Sequence, residues 1–421
     1  MGADTAPPAP RRRRRLPRIL GVGGFLAAGI LVPALLLTPP TPPPVISIAP
    51  PPTAVPTPVA TARATATPRT LAGSAPDAIV ASPPPLAPRL EAAIFQAALD
   101  ASVTATDAPG ATVAVVRAGE LLWTGASGTA PDGSFLAPDS QMVIGSVTKT
   151  FVAALVLQLV EEGRLDLDAP LTAYLPDLEL TGADTISLRQ LLDHTSGLAD
   201  VFNDATRIGI EEAPFRPWST TELIASLHEP WYAPGENWAY ANTNYLLLTL
   251  VAERITGFGL EQLLTDRFGA PLGLTGSRLL SPADAEPGPL EPAWTTIFRG
   301  SGAMISTAGD LARWGDALYA GSVLLDATRR EMLDFNTFEH GLGVQELTLG
   351  GLEGYGHTGL LDTYTTLLWH LPERDTTIAL LVSIDDAELG SILTHRADGA
   401  PSLLDLALDR EPPRSEPDAG R

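Results

Sequence analysis

Gly145-Ser146-Val147-Thr148-Lys149-Thr150, running on into Phe151–Val160 (FVAALVLQLV), is the stretch around which the chain is organised. Its lysine is the only one in 421 residues; the other 26 of the 27 basic residues are arginine. For a surface charge or an ion pair arginine serves as well or better, but its guanidinium does not release its proton. A lysine amine driven neutral by burial can take a proton from a hydroxyl. A serine three residues before it shares its helix face, the arrangement that a serine nucleophile with a lysine base needs. Ser-x-x-Lys also recurs by chance. Here, however, the apolar run that follows predicts a helix buried on nearly every face. A serine and a lysine at the head of such a helix are costly unless paired, and its N-terminal N–H groups and dipole suit a developing oxyanion. Thr148 stands where a Gly-x-Ser-x-Gly elbow requires its second glycine, which argues against an α/β-hydrolase.

The front of the chain is segmented. Residues 1–18 are basic, with Arg11 to Arg15 and Arg18, and residues 19–38 are apolar, including an uncharged run of 19 residues from Ile19 to Leu37. Such a run is long enough to cross a bilayer as a helix, and the arginines before it predict a cytoplasmic N-terminal end. The expectation is a membrane anchor through 19–38 with the catalytic body outside the cytoplasm, in a bacterial cell envelope, or a secreted body if the segment is a cleaved signal. Residues 39–88, rich in proline, alanine and threonine, read as a semi-extended tether, residues 89–410 as the folded hydrolase domain, and 411–421 as a polar tail.

Of the net charge of −22, residues 1–18 carry +5 and the tether +1, which leaves −28 on the rest. So acidic a body is unsuited to nucleic acid. There is no cysteine, hence no disulfide, thiolate metal site or cysteine nucleophile. The six histidines (His194, His228, His340, His357, His370 and His395) form no metal-binding spacing, so neither a metal nor a cofactor is expected.

Along the body, Arg89–Thr104 has helical spacing, and Ala111–Arg117 and Leu121–Gly125 read as a hairpin closed at Ala118-Gly119-Glu120. Helical patterns recur at Thr221–His228, Asn242–Ile255, Leu260–Arg267 and Ala308–Tyr319, and strand composition returns at Thr363–His370 and Thr376–Ser383. Strands at both ends around a helical block predict an α/β (α+β) domain whose one sheet is assembled from both termini, with helices segregated to one side.

Two further stretches stand out. Trp238-Ala239-Tyr240-Ala241-Asn242-Thr243-Asn244-Tyr245 precedes an apolar helix; Asn242 or Asn244 suits a helix cap, while Tyr240 suits proton transfer and Asn242 a substrate carbonyl. Gly354-Tyr355-Gly356-His357-Thr358-Gly359 reads either as a glycine-bearing turn into the strand at 363 or as backbone that lets a ligand approach closely.

Together these residues resemble the serine β-lactamase-related family of penicillin-recognising enzymes, which includes class C β-lactamases, D-alanyl-D-alanine carboxypeptidases and esterases. The resemblance rests on Ser-x-x-Lys at 146–149, Tyr-x-Asn at 240–242 and His-Thr-Gly at 357–359, in that order, supported by LLDHTSGL at 191–198, PLGL at 271–274 and SGAMISTAGDLARW at 301–314. It implies an antiparallel sheet flanked by helices beside an all-helical subdomain, with the site in the cleft between. It also implies an acylated Ser146, Lys149 as its proton acceptor or electrostatic partner, and Tyr240 as proton donor to the leaving amine. Backbone N–H groups of Ser146 and Leu360 would form an oxyanion hole, worth about 3–4 kcal/mol per donor. Asn242, His357, Thr358 and Gly359 would line the substrate, while LLDHTSGL, with His194, would be structural.

Class C enzymes carry lysine where this chain has His357, which favours a D-alanyl-D-alanine carboxypeptidase-like hydrolase of small-molecule or peptide substrates, such as a peptidoglycan stem peptide. A class C-like β-lactamase, a small-ester carboxylesterase and a non-catalytic penicillin-binding scaffold are the competing expectations. With an ordinary pKa near 6.5, His357 would carry charge only partly, and carboxylate substrates would bind better as pH falls.

Overall fold

The structure, a computed structural model, describes residues 86–284, 289–321 and 323–410. Nine strands are placed among them: β1 (Gly110–Arg117), β2 (Glu120–Gly128), β3 (Met142–Val143), β4 (Arg278–Leu279), β5 (Met304–Ser306), β6 (Gln345–Leu349), β7 (Leu352–Leu361), β8 (Tyr364–Leu371) and β9 (Thr376–Val382). Six of them form one sheet in the order β2-β1-β9-β8-β7-β6, antiparallel at every pairing. The two halves of the domain meet where β1 pairs with β9, from Ala111 opposite Val382 to Arg117 opposite Thr376. The β1–β2 hairpin turns on Ala118 and Gly119, both at positive φ, the geometry of a tight two-residue turn.

Helices cover both faces of this sheet, not one as the order of elements suggested. The reason is legible in the side-chain alternation of the central strands. Ala111, Val113 and Val115 of β1, Leu367 and Trp369 of β8, and Ile378 and Leu380 of β9 pack with Phe95, Leu99 and Val103 of the first helix, Leu86–Ala105. Their neighbours Ala114, Val116, Leu368, Ala379 and Leu381 belong to the opposite core. Strands apolar on both sides need cover on both. On the second face lies the helix Ala308–Ala320, whose Gly315 passes so near the sheet that a Cβ would sit 2.6 Å from Leu368.

The helix Thr148–Glu161 is buried continuously from Thr148 to Leu157, as its composition requires. Phe151 stacks on Trp314 at 3.9 Å between ring centroids, and the Trp314 indole N–H donates to Thr150 Oγ1 at 2.8 Å. The small sheet β3-β5-β4 anchors its entrance. Val143 pairs with Ile305, and the Ile144 N–H donates to Met304 O at 3.0 Å. The segment leading to Ser146 is thereby tied to the segment leading away from Ser301.

β7 crosses in front of this turn, backbone against backbone. Gly145 adopts φ +50, and a Cβ there would lie 2.8 Å from the Leu360 nitrogen; one on Gly359 would lie 2.1 Å from the Ile144 carbonyl oxygen.

Among the described residues no helix is long and apolar enough to cross a membrane. The expected anchor, and with it the placement of the body outside the cytoplasm, is therefore corrected: the structure does not support it, and the 19–38 segment on which it rested lies outside the described residues.

Gly359→Ala is expected to push β7 off the Ser146 turn. Forcing a methyl against backbone costs about 1–3 kcal/mol, so the urea midpoint should fall with an unchanged slope. A midpoint equal to that of the unsubstituted chain would show that the approach is not tight.

Candidate active site

The expected site residues come from three parts of this frame: the Ser146 turn with the helix after it, the entrance of the helix that begins at Asn242, and β7. Ser146 sits in a single 3-10 turn, Gly145–Val147, immediately before the Thr148–Glu161 helix, and Lys149 lies in that helix's first turn. The Lys149 amine is fully buried. Its Nζ lies 3.2 Å from Ser146 Oγ, and it donates to Asn242 Oδ1 at 2.8 Å and to Ser301 O at 2.7 Å. Asn242 is the first residue of the helix Asn242–Thr256, whose cap is Ala241 with no side-chain bond. Neither asparagine caps that helix: Asn242 is committed to Lys149, and Asn244 accepts from Ser196 Oγ at 2.6 Å.

Burial drives the Lys149 pKa from 10.5 down to about 7, against the opposing attraction of Asp200. At about 1.4 kcal/mol per pKa unit, this disfavours the ammonium by on the order of 5 kcal/mol, so desolvation wins over the nearby carboxylate.

Tyr240 places its ring 4.7 Å from Lys149 Nζ. Its hydroxyl is buried and makes no hydrogen bond of good geometry, although Ser146 is near enough to favour the ionised form slightly. Burial dominates and lifts the phenol well above its ordinary pKa, with Asp200 adding to the rise. Tyr240 is thus a proton-carrying phenol at neutral pH. His194 stacks on it at 4.3 Å and accepts from the Ala241 N–H through Nδ1 at 3.2 Å. The histidine taken as structural therefore sets the plane of the Tyr240 ring.

The His-Thr-Gly segment is not a turn but the middle of β7. In the β7–β8 hairpin Leu361 faces Tyr364 across two residues, so alternation turns the Leu360 N–H toward the opposite edge. No β6 residue pairs with β7 beyond Gly356, and that open edge faces the Ser146 turn. The two expected oxyanion donors, Ser146 N–H and Leu360 N–H, are therefore adjacent. The N–H and hydroxyl of Thr358 both donate to Gln345 Oε1, at 3.1 and 3.2 Å.

His357 is buried, its ring 6.3 Å from that of Tyr240. Its Nδ1 donates to Thr358 O at 2.5 Å, which leaves Nε2 as an acceptor. Burial first, and Lys149 second, press its pKa down to about 3. The partial charge expected near neutral pH is therefore absent: a histidine enclosed beside an amine stays neutral.

Two residues that complete this arrangement lay outside the sequence-based set. Ser301 enters through its carbonyl, which no side-chain pattern reveals, although it opens the SGAMISTAGDLARW stretch. Asp200 accepts from Asn242 through both the backbone N–H, at 2.9 Å, and Nδ2, at 3.1 Å. An acid in an apolar stretch two residues after LLDHTSGL was the signal available. No cluster of three or more His, Asp or Glu side chains able to hold a metal occurs among the described residues.

A serine hydroxyl beside a buried lysine amine, faced by a tyrosine and by backbone donors, defines the class of a serine hydrolase. The comparisons agree: residues 95–400 match the β-lactamase family, and the chain belongs to it. A D-aminopeptidase from Brucella anthropi is 29% identical over 300 residues, covering 65% of this chain and 56% of that protein, so the chain spans little more than half of this relative. A D-stereospecific amidohydrolase from Streptomyces sp. superimposes with a TM-score of 0.61 at 29% identity, over 72% of this chain and 97% of that one. The D-amino acid amidase from Ochrobactrum anthropi SV3, complexed with L-phenylalanine amide, shares the fold at TM-score 0.61 and 23% identity, over 72% and 98% of the two chains.

Because the chain has one lysine, 13C-lysine labelling gives a single ε-carbon signal to follow. It should titrate with a midpoint of about 7. A midpoint within about one unit of the ordinary 10.4 would mean that the amine is not desolvated as described.

Proposed function

We propose that this chain hydrolyses the amide bond of small amino-acid amides or short peptides, with D configuration at the acyl residue, through an acyl-enzyme on Ser146. The observation that carries it is the set of partners around Lys149 Nζ. A neutral amine has two N–H bonds and one lone pair. With Ser301 O and Asn242 Oδ1 accepting the two N–H bonds, the lone pair is left for the Ser146 hydroxyl.

Ser146 Oγ then attacks the carbonyl carbon while its proton passes to Lys149 Nζ. The carbonyl oxygen becomes an oxyanion against the N–H groups of Ser146 and Leu360. As the C–N bond breaks, Tyr240 gives its proton to the leaving nitrogen and recovers one from Lys149. Water attacks the resulting ester by the same route in reverse, releasing the acid and restoring the Ser146 hydroxyl.

The substrate class follows from charge. A carboxypeptidase or a β-lactamase must seat a carboxylate, and His357 offers it no positive charge. Among the described residues no arginine figures in the charges that act on Tyr240 or His357. The free His357 Nε2 is an acceptor instead, suited to the N–H of an amide or amine. That the Brucella relative is a D-aminopeptidase and the Streptomyces one a D-stereospecific amidohydrolase supports the same class.

D- and L-phenylalanine amide, a D-Ala-D-Ala peptide and a short-chain ester should be compared by initial rates, with intact mass after quenching. D-amide turnover is expected to exceed L by tenfold or more, on the order that shape complementarity gives. Ser146→Ala should abolish it and the acyl adduct. Turnover of the ester alone, without discrimination of configuration, would move the assignment to an esterase.

Any pH dependence of KM for the D-Ala-D-Ala peptide between about pH 5 and 8 should follow Lys149, with its pKa of about 7, and survive in His357→Ala, since His357, with its pKa near 3, stays neutral throughout. His357→Lys should lower that KM. A fall in KM toward pH 5 that disappears in His357→Ala would restore a charged histidine.

A further inference from the structure

We infer that Asp200 is a positioning residue: it fixes which end of the Asn242 amide faces Lys149, and so leaves one direction of the lysine nitrogen open to Ser146. The inference rests on the role proposed for Lys149 as proton acceptor. A side-chain amide presents an oxygen that accepts and a nitrogen that donates, nearly alike in size. Only the first suits Lys149. If Asn242 met it with Nδ2, a donor would face the amine, and the lone pair would be drawn toward Asn242 and away from Ser146.

Nothing in the shape of an amide decides between these orientations; its partners must. Asp200 does so because a carboxylate only accepts. Its Oδ1 takes the backbone N–H groups of Asn242, at 2.9 Å, and Phe202, at 3.2 Å. Oδ2 lies 3.1 Å from Asn242 Nδ2. The second bond compels the nitrogen end toward Asp200 and the oxygen end toward Lys149, 2.8 Å away on the other side. Ser301 O, the other acceptor, is a backbone atom and cannot invert.

The other titratable groups around Lys149 cannot do this work. Tyr240 and Tyr245 present ring faces, at 4.7 and 5.5 Å. His194, His340 and His357 interact with it only by charge. Among the described residues Asp200 is the acid whose charge acts on Lys149, so it contributes to the field at the amine as well as to the orientation of its partner.

Asp200→Asn is nearly isosteric and separates these contributions. With its oxygen held by the two backbone N–H groups, its new NH2 faces the Asn242 side chain and turns Asn242 Nδ2 toward Lys149. On a D-amino-acid amide, kcat should fall on the order of 100-fold, the scale of a misplaced catalytic group, with KM within about threefold. Loss of the anion should also move the acid limb of kcat/KM to lower pH. The rescue is Asp200→Asn combined with Asn242→Asp. A carboxylate at 242 meets Lys149 with oxygen whichever way it turns and accepts from the new amide. The double variant should recover at least about tenfold of the lost kcat, non-additively, with its acid limb above that of the unsubstituted chain.

Thermal midpoints are recorded for each variant. If Asp200→Asn does not fold, the folded double variant is compared with the unsubstituted chain: kcat within about tenfold supports the inference, and a larger loss overturns it. Asp200→Asn keeping kcat within about threefold, or a folded double variant no faster than Asp200→Asn, overturns the role of Asp200 alone. A Lys149 ε-carbon signal in the unsubstituted chain that titrates away from its acid limb overturns the base role, and this inference with it.

Discussion

The site depends on one buried nitrogen. Lys149 Nζ has three polar neighbours, Ser146 Oγ, Asn242 Oδ1 and Ser301 O, and these serve either protonation state. The ammonium donates to all three; the amine donates to two and turns its lone pair to the third. Neither state leaves a polar group unsatisfied, so the proton can come and go without rearrangement of the frame. Burial without those partners would simply expel the charge. Partners without burial would leave the amine protonated at every physiological pH.

The rest of the domain can be seen as the means of holding three distant backbones around that atom. The β3–β5 pairing couples the Ser146 turn to the Ser301 carbonyl, and Gly300 lets the Ser301 turn press on the Asn242 helix, where a Cβ would meet Thr249 Oγ1. β7 closes the fourth side through Gly359. Charge is managed by the same enclosure. Three histidines surround the lysine, and all are held well below their ordinary pKa. These histidines thus bring no positive charge to the site near neutral pH, where the lysine itself is only partly charged.

Much of this was legible in the sequence where the cause is local. The lone lysine and the apolar run after it marked the pair with Ser146. The β-branched runs of β1, β8 and β9 marked the hairpins and the union of the two chain halves. β6 and β7 were obscured because Gly350, Gly351, Gly354, Gly356 and Gly359 carry no strand signal of their own. Their demand comes from elsewhere: Gly354 and Gly356 lie against the backbone of β8, and Gly359 against Ile144. The charge of His357 was misread for a similar reason, since an ordinary pKa describes an exposed ring, and only packing shows that this one is enclosed. Ser301 contributes a carbonyl, which every residue possesses. Asp200 was an acid in an apolar stretch, and its meaning appears only once Asn242 is beside it.

The pairing of β1 with β9 has a consequence for biosynthesis. Leu360 follows Ser146 by about 200 residues, and β1 must wait longer still for its inner neighbour. As the polypeptide leaves the ribosome, the first hairpin emerges with β1 apolar on both faces and its inner edge unpaired. Such long-range closure is slow and exposes sticky surface meanwhile. For much of that interval β7 is missing as well, so under the proposed mechanism the nascent chain carries Ser146 and Lys149 without the Leu360 N–H that would receive the oxyanion.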